Sequence, residues 1–356
     1  MKKHDSVRLS LWIGCALLAL AYTATAAELP AIKILATGGT IAGRGASAVE
    51  AGYKPSEVPV EELINAVPEI QDIAKVSGEQ VIQTASQNIT PDIWLQIAKA
   101  VNQALASEDV DGVVITHGTD TMEETAYFLN LTTHSDKPVV LVGAMRPSTA
   151  MSADGAMNLY NAVALAGSPE AKGKGVLLTL NETVLGAREV TKTHTTNPGA
   201  FQAPEKGPLG SVFFGDVELY EQPARAHTTE SEFNIDEVET LPRVDIIYGY
   251  AGDNSHLVNA AVEAGAQGIV YAGVGNGNFN PNVEKALAKV REQGVAVVRS
   301  SRVGGGRVTL DAEVDDAKYG FVVADDLNPQ KARILLTLAL TKTKDPQQIQ
   351  EMFFKY

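Results

Sequence analysis

Short, continuously apolar runs alternate with amphipathic stretches along most of this chain, and this alternation limits the folds that the chain can adopt. In the first 220 residues the runs lie at 31–36, 112–116, 138–142 and 175–180. A short run that is apolar at every position is typical of a strand buried on both faces, as in parallel sheets covered by helices. The sequence therefore predicts a doubly wound, flavodoxin-like α/β domain.

Helix-start signals lie between or after these runs. Thr90 and Pro91 supply an N-cap and a first-turn proline for a predicted helix to about residue 105. Residues 120–123 have capping-box spacing, with Asp120 as the cap of a predicted helix toward residue 131. Asn328, followed by a proline, starts a third predicted helix that continues through residue 340.

A change of pattern divides the chain of 356 residues, which is longer than one typical domain. Residues 221–242 are polar, proline-bounded and weakly periodic, so we expect an interdomain connection there. Apolar runs then resume at 244–248, 268–272 and 295–299. We therefore predict a large domain over 27–220 and a smaller α/β domain over 243–356.

The first 26 residues have the features of a secretory signal peptide. Three basic residues precede a short apolar core over 11–22, and small residues at 24–26 form a cleavage site. The core is too short for a membrane span. We therefore expect a periplasmic protein with no membrane attachment after cleavage. The only cysteine, Cys15, lies in this segment, so thiol catalysis and disulfides are excluded from the mature chain.

Charge and motif content exclude several other classes. The formal charge is −14, with 29 basic against 43 acidic residues and no basic run, which argues against a nucleic-acid partner. The sequence has no phosphate-binding P-loop, no G-x-S-x-G elbow and no histidine pair at metal-ligand spacing. The glycines over 273–278 lack the spacing of a dinucleotide turn and favour a strand-exit loop. We therefore expect no metal and no cofactor.

Threonines and glycines cluster where two predicted strands end, which is where ligands bind in open α/β sheets. The first run leads into T-G-G-T over 37–40, and the second leads into T-H-G-T-D-T over 116–121. His117 alone favours a packed strand-end residue, and Asp120 alone a helix cap. A threonine hydroxyl needs a positioned base to become a nucleophile, and a tyrosine phenol or a desolvated lysine such as Lys192 are both candidates.

The segments that carry these residues are similar to those of one enzyme family. ILATGGTIAG (34–43) and GVVITHGTDTM (112–122) are its two signatures, and TASQ, VTKT, AGVGNGN and DAEVDDAKYGF also match. The chain resembles the bacterial type II (periplasmic) L-asparaginases along essentially its whole length after residue 26. The resemblance implies a large doubly wound domain followed by a smaller α/β domain. It also implies a homotetramer, a dimer of intimate dimers, with active sites at the intimate interface.

The resemblance also implies the catalytic roles. Thr40 matches the nucleophile, and Tyr53, in a mobile lid, matches the tyrosine that assists it. Thr119 matches a second essential threonine, with Lys192 as its proton partner. Asp120 matches the carboxylate that binds the substrate ammonium group. Backbone N–H groups near Gly39 and Thr119 are expected to stabilise the oxyanion.

Four further positions match substrate-binding residues of the family. Ser86 and Gln87 match the residues that bind the substrate carboxylate. Asn278 and Glu313 match residues that the neighbouring subunit supplies near the substrate amino group. Because asparagine carries an ammonium and a carboxylate, a specific site needs acids at one end and donors at the other.

The implied activity is hydrolysis of L-asparagine to L-aspartate and ammonia, with minor activity on L-glutamine. Asn278 resembles the asparaginase-selective branch, since relatives with substantial glutaminase activity often have serine there. Two alternatives stay open at this point. One is a broad-specificity glutaminase-asparaginase, and the other is a periplasmic amino-acid-binding protein without turnover.

Overall fold

A computed structural model describes residues 28–49 and 52–356, except for the side chain of Tyr53. The predicted signal peptide over 1–26 lies outside these residues. The first part of the chain contains twelve strands and four α-helices. The strands are β1 (Ala31–Gly38), β2 (Arg44–Gly45), β3 (Tyr53–Lys54), β4 (Lys75–Thr84), β5 (Gly112–Thr116), β6 (Val139–Val142), β7 (Val176–Leu180), β8 (Thr183–Gly186), β9 (Thr191–Lys192), β10 (Phe201–Gln202), β11 (Gly210–Phe213) and β12 (Asp216–Leu219). The helices are α1 (Val60–Asn65), α2 (Pro91–Ala106), α3 (Met122–Thr132) and α4 (Gly155–Gly167).

Eight of these strands form one sheet in the order β12-β11-β8-β7-β6-β5-β1-β4. Five neighbouring strands are parallel, in the order β4, β1, β5, β6 and β7. Numbered by their position along the chain, these five strands have the flavodoxin-like order 2-1-3-4-5. Strands β8, β11 and β12 extend the sheet in antiparallel fashion, which the apolar runs did not predict. Strand β4 was also not predicted, because most of its positions are partly or fully exposed and it has no continuous apolar run.

Helices cover both faces of the parallel strands, which confirms the doubly wound prediction. Neighbouring residues of one strand, such as Val113 and Val114, belong to opposite layers of the core. Helices α2 and α3 pack on one layer, and α1 and α4 pack on the other. This arrangement explains why the central strands are apolar at every position.

Two predicted helix starts have different outcomes. Thr90 caps α2 as expected, since its hydroxyl accepts a hydrogen bond from the N–H of Ile93 at 3.4 Å. The prediction that Asp120 caps the next helix is wrong, because α3 begins one residue later and Thr121 occupies the N-cap position. The Asp120 carboxylate instead forms an ion pair with Lys192.

The second part of the chain forms a separate four-stranded parallel sheet in the order β13-β14-β15-β16. Its strands are β13 (Val244–Tyr248), β14 (Gly268–Gly273), β15 (Ala296–Ser301) and β16 (Val322–Val323). Its helices are α5 (His256–Glu263), α6 (Pro281–Glu292), α7 (Asp316–Tyr319), α8 (Pro329–Ala339) and α9 (Pro346–Lys355). Asn328 caps α8 as predicted, since its side-chain oxygen accepts from the N–H of Lys331 at 3.0 Å.

The two sheets share one buried apolar cluster. It joins Trp94 and Phe128 of the larger domain to Leu335 of α8. The connection over 221–242 contributes Phe233 and Ile235, which are both buried in the same cluster. The connection therefore contributes to the core that the two domains share. The boundaries at residues 220 and 243 stay predictions, and the strands of each sheet lie on the expected side of them.

Within residues 28–49 and 52–356, no helix combines the length and the apolar character that are needed to cross a bilayer.

A buried ion pair stabilises the smaller domain. Both oxygens of Asp316 accept from the guanidinium of Arg299 at 2.6 Å, and both side chains are buried. The remaining Arg299 donors reach backbone carbonyls, including that of Gly277 at 3.2 Å.

We predict that Asp316→Ala lowers the free energy of unfolding by about 3–5 kcal/mol, because Arg299 would keep an unpaired charge in the interior. Chemical denaturation measures this change. Asp245→Ala is the control, since Asp245 pairs with the exposed Arg243 at the surface and its loss should cost under about 1 kcal/mol. Equal losses in the two variants would contradict the prediction.

Candidate active site

The predicted site lies where the carboxyl ends of β1 and β5 meet. These are the first and third parallel strands in chain order, and the switch point of a flavodoxin-like sheet lies between them. The Thr37 hydroxyl at the end of β1 donates to the carbonyl of Thr116 at the end of β5 at 2.8 Å. The turns that follow both strands therefore begin side by side.

The two turns touch through glycine backbones. Gly39 has a φ of +85°, and a Cβ atom at this position would lie 2.3 Å from the Gly118 nitrogen. Only a residue without a side chain allows this approach and this φ without strain. Thr40 and Thr119 follow these two glycines directly, and each is only 6% exposed. Both hydroxyl-bearing residues are thus fixed in a shielded turn.

The Gly39 amide is occupied within the turn. Its N–H donates to the Ser56 hydroxyl at 2.7 Å and to the Thr84 carbonyl at 3.2 Å. The Gly39 N–H itself therefore has partners within the turn, and the expectation of an oxyanion donor near this residue stays a prediction. At Thr119 the same expectation stays a prediction. Sequence reasoning did not identify Ser56, because its contact with Gly39 crosses a loop that has no recognisable pattern.

Lys192 reaches the β5 turn from a separate two-stranded ribbon formed by β9 and β10. Its ammonium lies 2.9 Å from the Thr119 hydroxyl and 2.7 Å from one oxygen of Asp120. The Lys192 side chain is 15% exposed, whereas that of Asp120 is 58% exposed. The arrangement joins a shielded lysine to a hydroxyl and leaves most of the carboxylate facing solvent.

Ser86 and Gln87 begin the 3-10 helix Ser86–Asn88 that follows β4. The Ser86 hydroxyl is buried and accepts from the N–H of Asp120 at 3.1 Å, while its carbonyl accepts from the Thr121 hydroxyl at 2.8 Å. Ser86 therefore holds the β5 turn in place. Gln87, the next residue, is exposed.

The three remaining predicted residues are Tyr53, Asn278 and Glu313. Tyr53 pairs through its backbone with Gly45 in the β2–β3 ribbon, and its side chain is not described. Asn278 and Glu313 lie in the smaller domain, where the amide of Asn278 donates to the Glu313 carboxylate. Within the described residues, neither side chain forms a hydrogen bond or ion pair with Thr119 or Lys192.

Hydrogen bonds of the buried His117 ring hold the turn that follows β5. The ring Nδ1 lies 2.7 Å from the Gly118 carbonyl, and Nε2 lies 2.9 Å from the Thr125 hydroxyl, which accepts from the Trp94 indole N–H. The Gly118 carbonyl can only accept, so the proton of the neutral ring is on Nδ1 and Nε2 accepts from the Thr125 hydroxyl. Complete burial lowers the pKa of His117 to about 4. The structure confirms a packed strand-end histidine.

Helix α8 of the smaller domain braces the start of α3. The Asn328 amide donates to Glu123 at 3.3 Å, and Arg333 lies 3.5 Å from Glu124. Burial raises the pKa of Glu124 to about 7, although the positive charge of Arg333 acts to lower this pKa. Lys331 of α8 is also buried, and it donates to main-chain carbonyls near Lys192.

The described residues contain no group of three or more His, Cys, Asp or Glu side chains that could hold a metal ion.

The fold and the site together define a two-domain α/β protein whose candidate ligand site lies at the switch point of the larger sheet. Residues 31–225 match the family model described as "Asparaginase, N-terminal", and residues 243–353 match "Glutaminase/Asparaginase C-terminal domain". The chain belongs to this asparaginase family.

Individual relatives are similar over most of the chain. L-asparaginase 2 of Escherichia coli (strain K12) is 54% identical over 341 residues, which are 96% of this chain and 97% of that protein. The probable periplasmic L-asparaginase of Haemophilus influenzae is 54% identical over 330 residues, 93% of this chain and 94% of that protein. The crystal structure of a probable cytoplasmic L-asparaginase from Campylobacter jejuni has a TM-score of 0.89 and 51% identity, and covers 92% of this chain and 100% of that chain.

We predict that His117 makes stability fall with acid. Because its pKa is about 4 in the folded chain and about 6.5 when unfolded, only the unfolded chain binds this proton between those pH values. The contribution of His117 to the free energy of unfolding is therefore fully present above pH 6.5. The free energy of unfolding falls by up to about 3 kcal/mol toward pH 4, at about 1.4 kcal/mol per pKa unit. Denaturation at pH 7 and pH 4.5 of the wild type and His117→Gln tests this, since the glutamine does not titrate. An equal pH dependence in both proteins would exclude His117 as the source.

Proposed function

We propose that this chain is an L-asparaginase that hydrolyses L-asparagine to L-aspartate and ammonia, with Thr40 as the nucleophile. The observation that carries the proposal is the contact of Lys192 with Thr119 and Asp120, at 2.9 and 2.7 Å, in the turn that touches the Thr40 turn. Membership of the asparaginase family supports the same activity.

The proposed reaction has two steps. The Thr40 hydroxyl oxygen attacks the side-chain amide carbon, and its proton passes to the assisting base, which the family resemblance assigns to Tyr53. The amide C–N bond then breaks, the nitrogen leaves as ammonia after accepting a proton, and a β-aspartyl ester remains on Thr40. Water activated by Thr119 and Lys192 hydrolyses this ester and restores the hydroxyl. Lys192 lies beside the Thr119 hydroxyl, where it can take part in this second step.

The two charged ends of the substrate need opposite partners. Asp120 offers a carboxylate that is more than half exposed, while one of its oxygens is bound to Lys192. A carboxylate has about four acceptor positions, so Asp120 can accept from a substrate ammonium while Lys192 keeps it oriented. Ser86 and Gln87, on the 3-10 helix beside it, are the proposed partners of the substrate carboxylate. Charge-assisted hydrogen bonds of this kind contribute roughly 1.5–3 kcal/mol each.

We further propose that the active assembly is a homotetramer, a dimer of intimate dimers. In the part of the chain that the structure describes, the Asn278 amide donates to the Glu313 carboxylate, and neither side chain bonds to Thr119 or Lys192. If these residues complete the amino end of the substrate site, a second subunit has to supply them. A complete site would then require two chains at the intimate interface.

We propose export to the periplasm, and the features of residues 1–26 carry this proposal. The relative from Haemophilus influenzae is named periplasmic, whereas the structural neighbour from Campylobacter jejuni is named cytoplasmic. The relatives therefore agree on the family and differ in compartment.

We predict that Thr40→Ala lowers the kcat for asparagine by about 10⁴- to 10⁶-fold and leaves the fold intact, because the attacking oxygen is lost. Ammonia release measures turnover, and circular dichroism and thermal unfolding report the fold. Thr119→Ala should also be severely impaired. Thr337→Ala, at a buried threonine of α8, is the control and should keep near-wild-type turnover. Near-normal ammonia release by a folded Thr40→Ala variant would refute the nucleophile.

We predict that asparagine is preferred over glutamine by at least about tenfold in kcat/KM, because one extra methylene is worth about 10- to 200-fold in a fitted site. Ammonia release from both amides under identical conditions measures the ratio. Equal values would favour the broad glutaminase-asparaginase, an activity that the description of the C-terminal family model also names. Binding of asparagine without ammonia release would favour the amino-acid-binding protein.

A further inference from the structure

Lys331 is an interior lysine that the proposed reaction does not use. It lies on α8, and its side chain is only 2% exposed. Burial lowers its pKa to about 8, with the nearby acids Glu123 and Glu189 opposing that shift. Lysine is among the residues least often fully buried, because removing an ammonium from water is costly. A buried ammonium group needs hydrogen-bond acceptors, and these acceptors indicate which part of the chain the lysine holds in place.

Both partners of Lys331 are main-chain carbonyls in one short segment. Its ammonium donates to the carbonyl of Arg188 at 2.7 Å and to the carbonyl of Val190 in a shorter contact. This segment leads directly into β9, where Lys192 stands two residues after Val190. The carbonyls of residues 188 and 190 are thus fixed by a helix of the other domain, from more than 140 positions away in the chain.

The segment leads into the short ribbon that holds Lys192. This ribbon is only two residues long in each strand, so few hydrogen bonds within the ribbon fix its position. The contacts with Lys331 add a restraint just before the ribbon, beside those that the Arg188 side chain makes with the Tyr356 carbonyl and Asp326. A displacement of about 1 Å in a catalytic group can lower turnover by about 100-fold.

We infer that Lys331 is a positioning residue, which holds the segment 188–190 so that Lys192 stays in contact with Thr119 and Asp120. The inference rests on the proposed function, in which Lys192 takes part in turnover. It assigns to the smaller domain a role in the site of its own chain, separate from the residues expected to complete a neighbouring subunit's site.

The test compares two lysine-to-methionine variants. Lys331→Met removes both carbonyl contacts with little change of side-chain volume, and we expect kcat to fall about 10- to 100-fold with a smaller change in KM. Lys137→Met is the matched control, since Lys137 also donates to two carbonyls, at 3.0 and 2.7 Å, but just before β6, at the amino end of a parallel strand and not at the carboxyl end where the site lies. We expect the control to keep wild-type kcat. Wild-type kcat in a folded Lys331→Met variant overturns the inference.

A double-mutant cycle with Lys192→Met separates positioning from general support of the fold. If Lys331 acts through Lys192, Lys331→Met lowers kcat in the wild-type background and changes the residual kcat of Lys192→Met by less than about twofold. An equal loss in both backgrounds means that Lys331 only stabilises the fold, and overturns the inference. If Lys331→Met does not fold, Lys331→Gln, which can still donate to one carbonyl, replaces it in the same cycle.

The Lys192→Met variant also distinguishes the two levels of proposal. Full turnover in that variant removes the catalytic role of Lys192, and the proposed function and the inference both fail. If turnover is slow in Lys192→Met but Lys331→Met keeps the wild-type kcat, the proposed function stands and only the inference fails.

Discussion

The contact between the backbones of Gly39 and Gly118 is the constraint on which the site depends. The carboxyl ends of two neighbouring parallel strands converge here, and a Cβ atom on Gly39 would lie 2.3 Å from the Gly118 nitrogen. Because no side chain fits between the turns, the residues that follow each glycine are placed by main-chain geometry and not by flexible side chains. Thr40 and Thr119 occupy those two positions, so the fold itself sets two hydroxyls in a shielded pocket.

The parts of the fold that follow from local pattern are the parts that the sequence predicted well. Strands buried on both faces, such as β5 and β6, are continuously apolar because helices cover both sides of the sheet. The caps of α2 and α8 depend on residues within one helical turn, so they too were predictable. Strand β4 at the sheet edge has partly exposed positions, and its pattern did not indicate a strand.

The errors and omissions at the site have a common cause, which is distance along the chain. Asp120 has the spacing of a helix cap, but its carboxylate pairs with Lys192, 72 positions away. Ser56 occupies the Gly39 amide from across a loop, and Lys331 holds residues 188 and 190 from another domain. Strand-end reasoning placed Thr40, Thr119 and Asp120 together, and the resemblance to a known family added Lys192 and Ser86 in specific roles. Those roles stay predictions, although the structure brings these side chains or their turns into contact.

The two lysines of this region, Lys331 and Lys192, make different kinds of contact. Lys331 gives its ammonium to neutral carbonyls and is closed off from solvent, an arrangement that suits a fixed support. Lys192 gives its ammonium to a hydroxyl and to a carboxylate that faces solvent, an arrangement that a bound substrate can alter. A substrate ammonium at Asp120 would share this carboxylate with Lys192, and two cations on one carboxylate repel each other. In the proposed reaction, Lys192 must therefore keep its place beside Thr119 and Asp120 when the substrate enters. A segment held by the second domain meets that requirement.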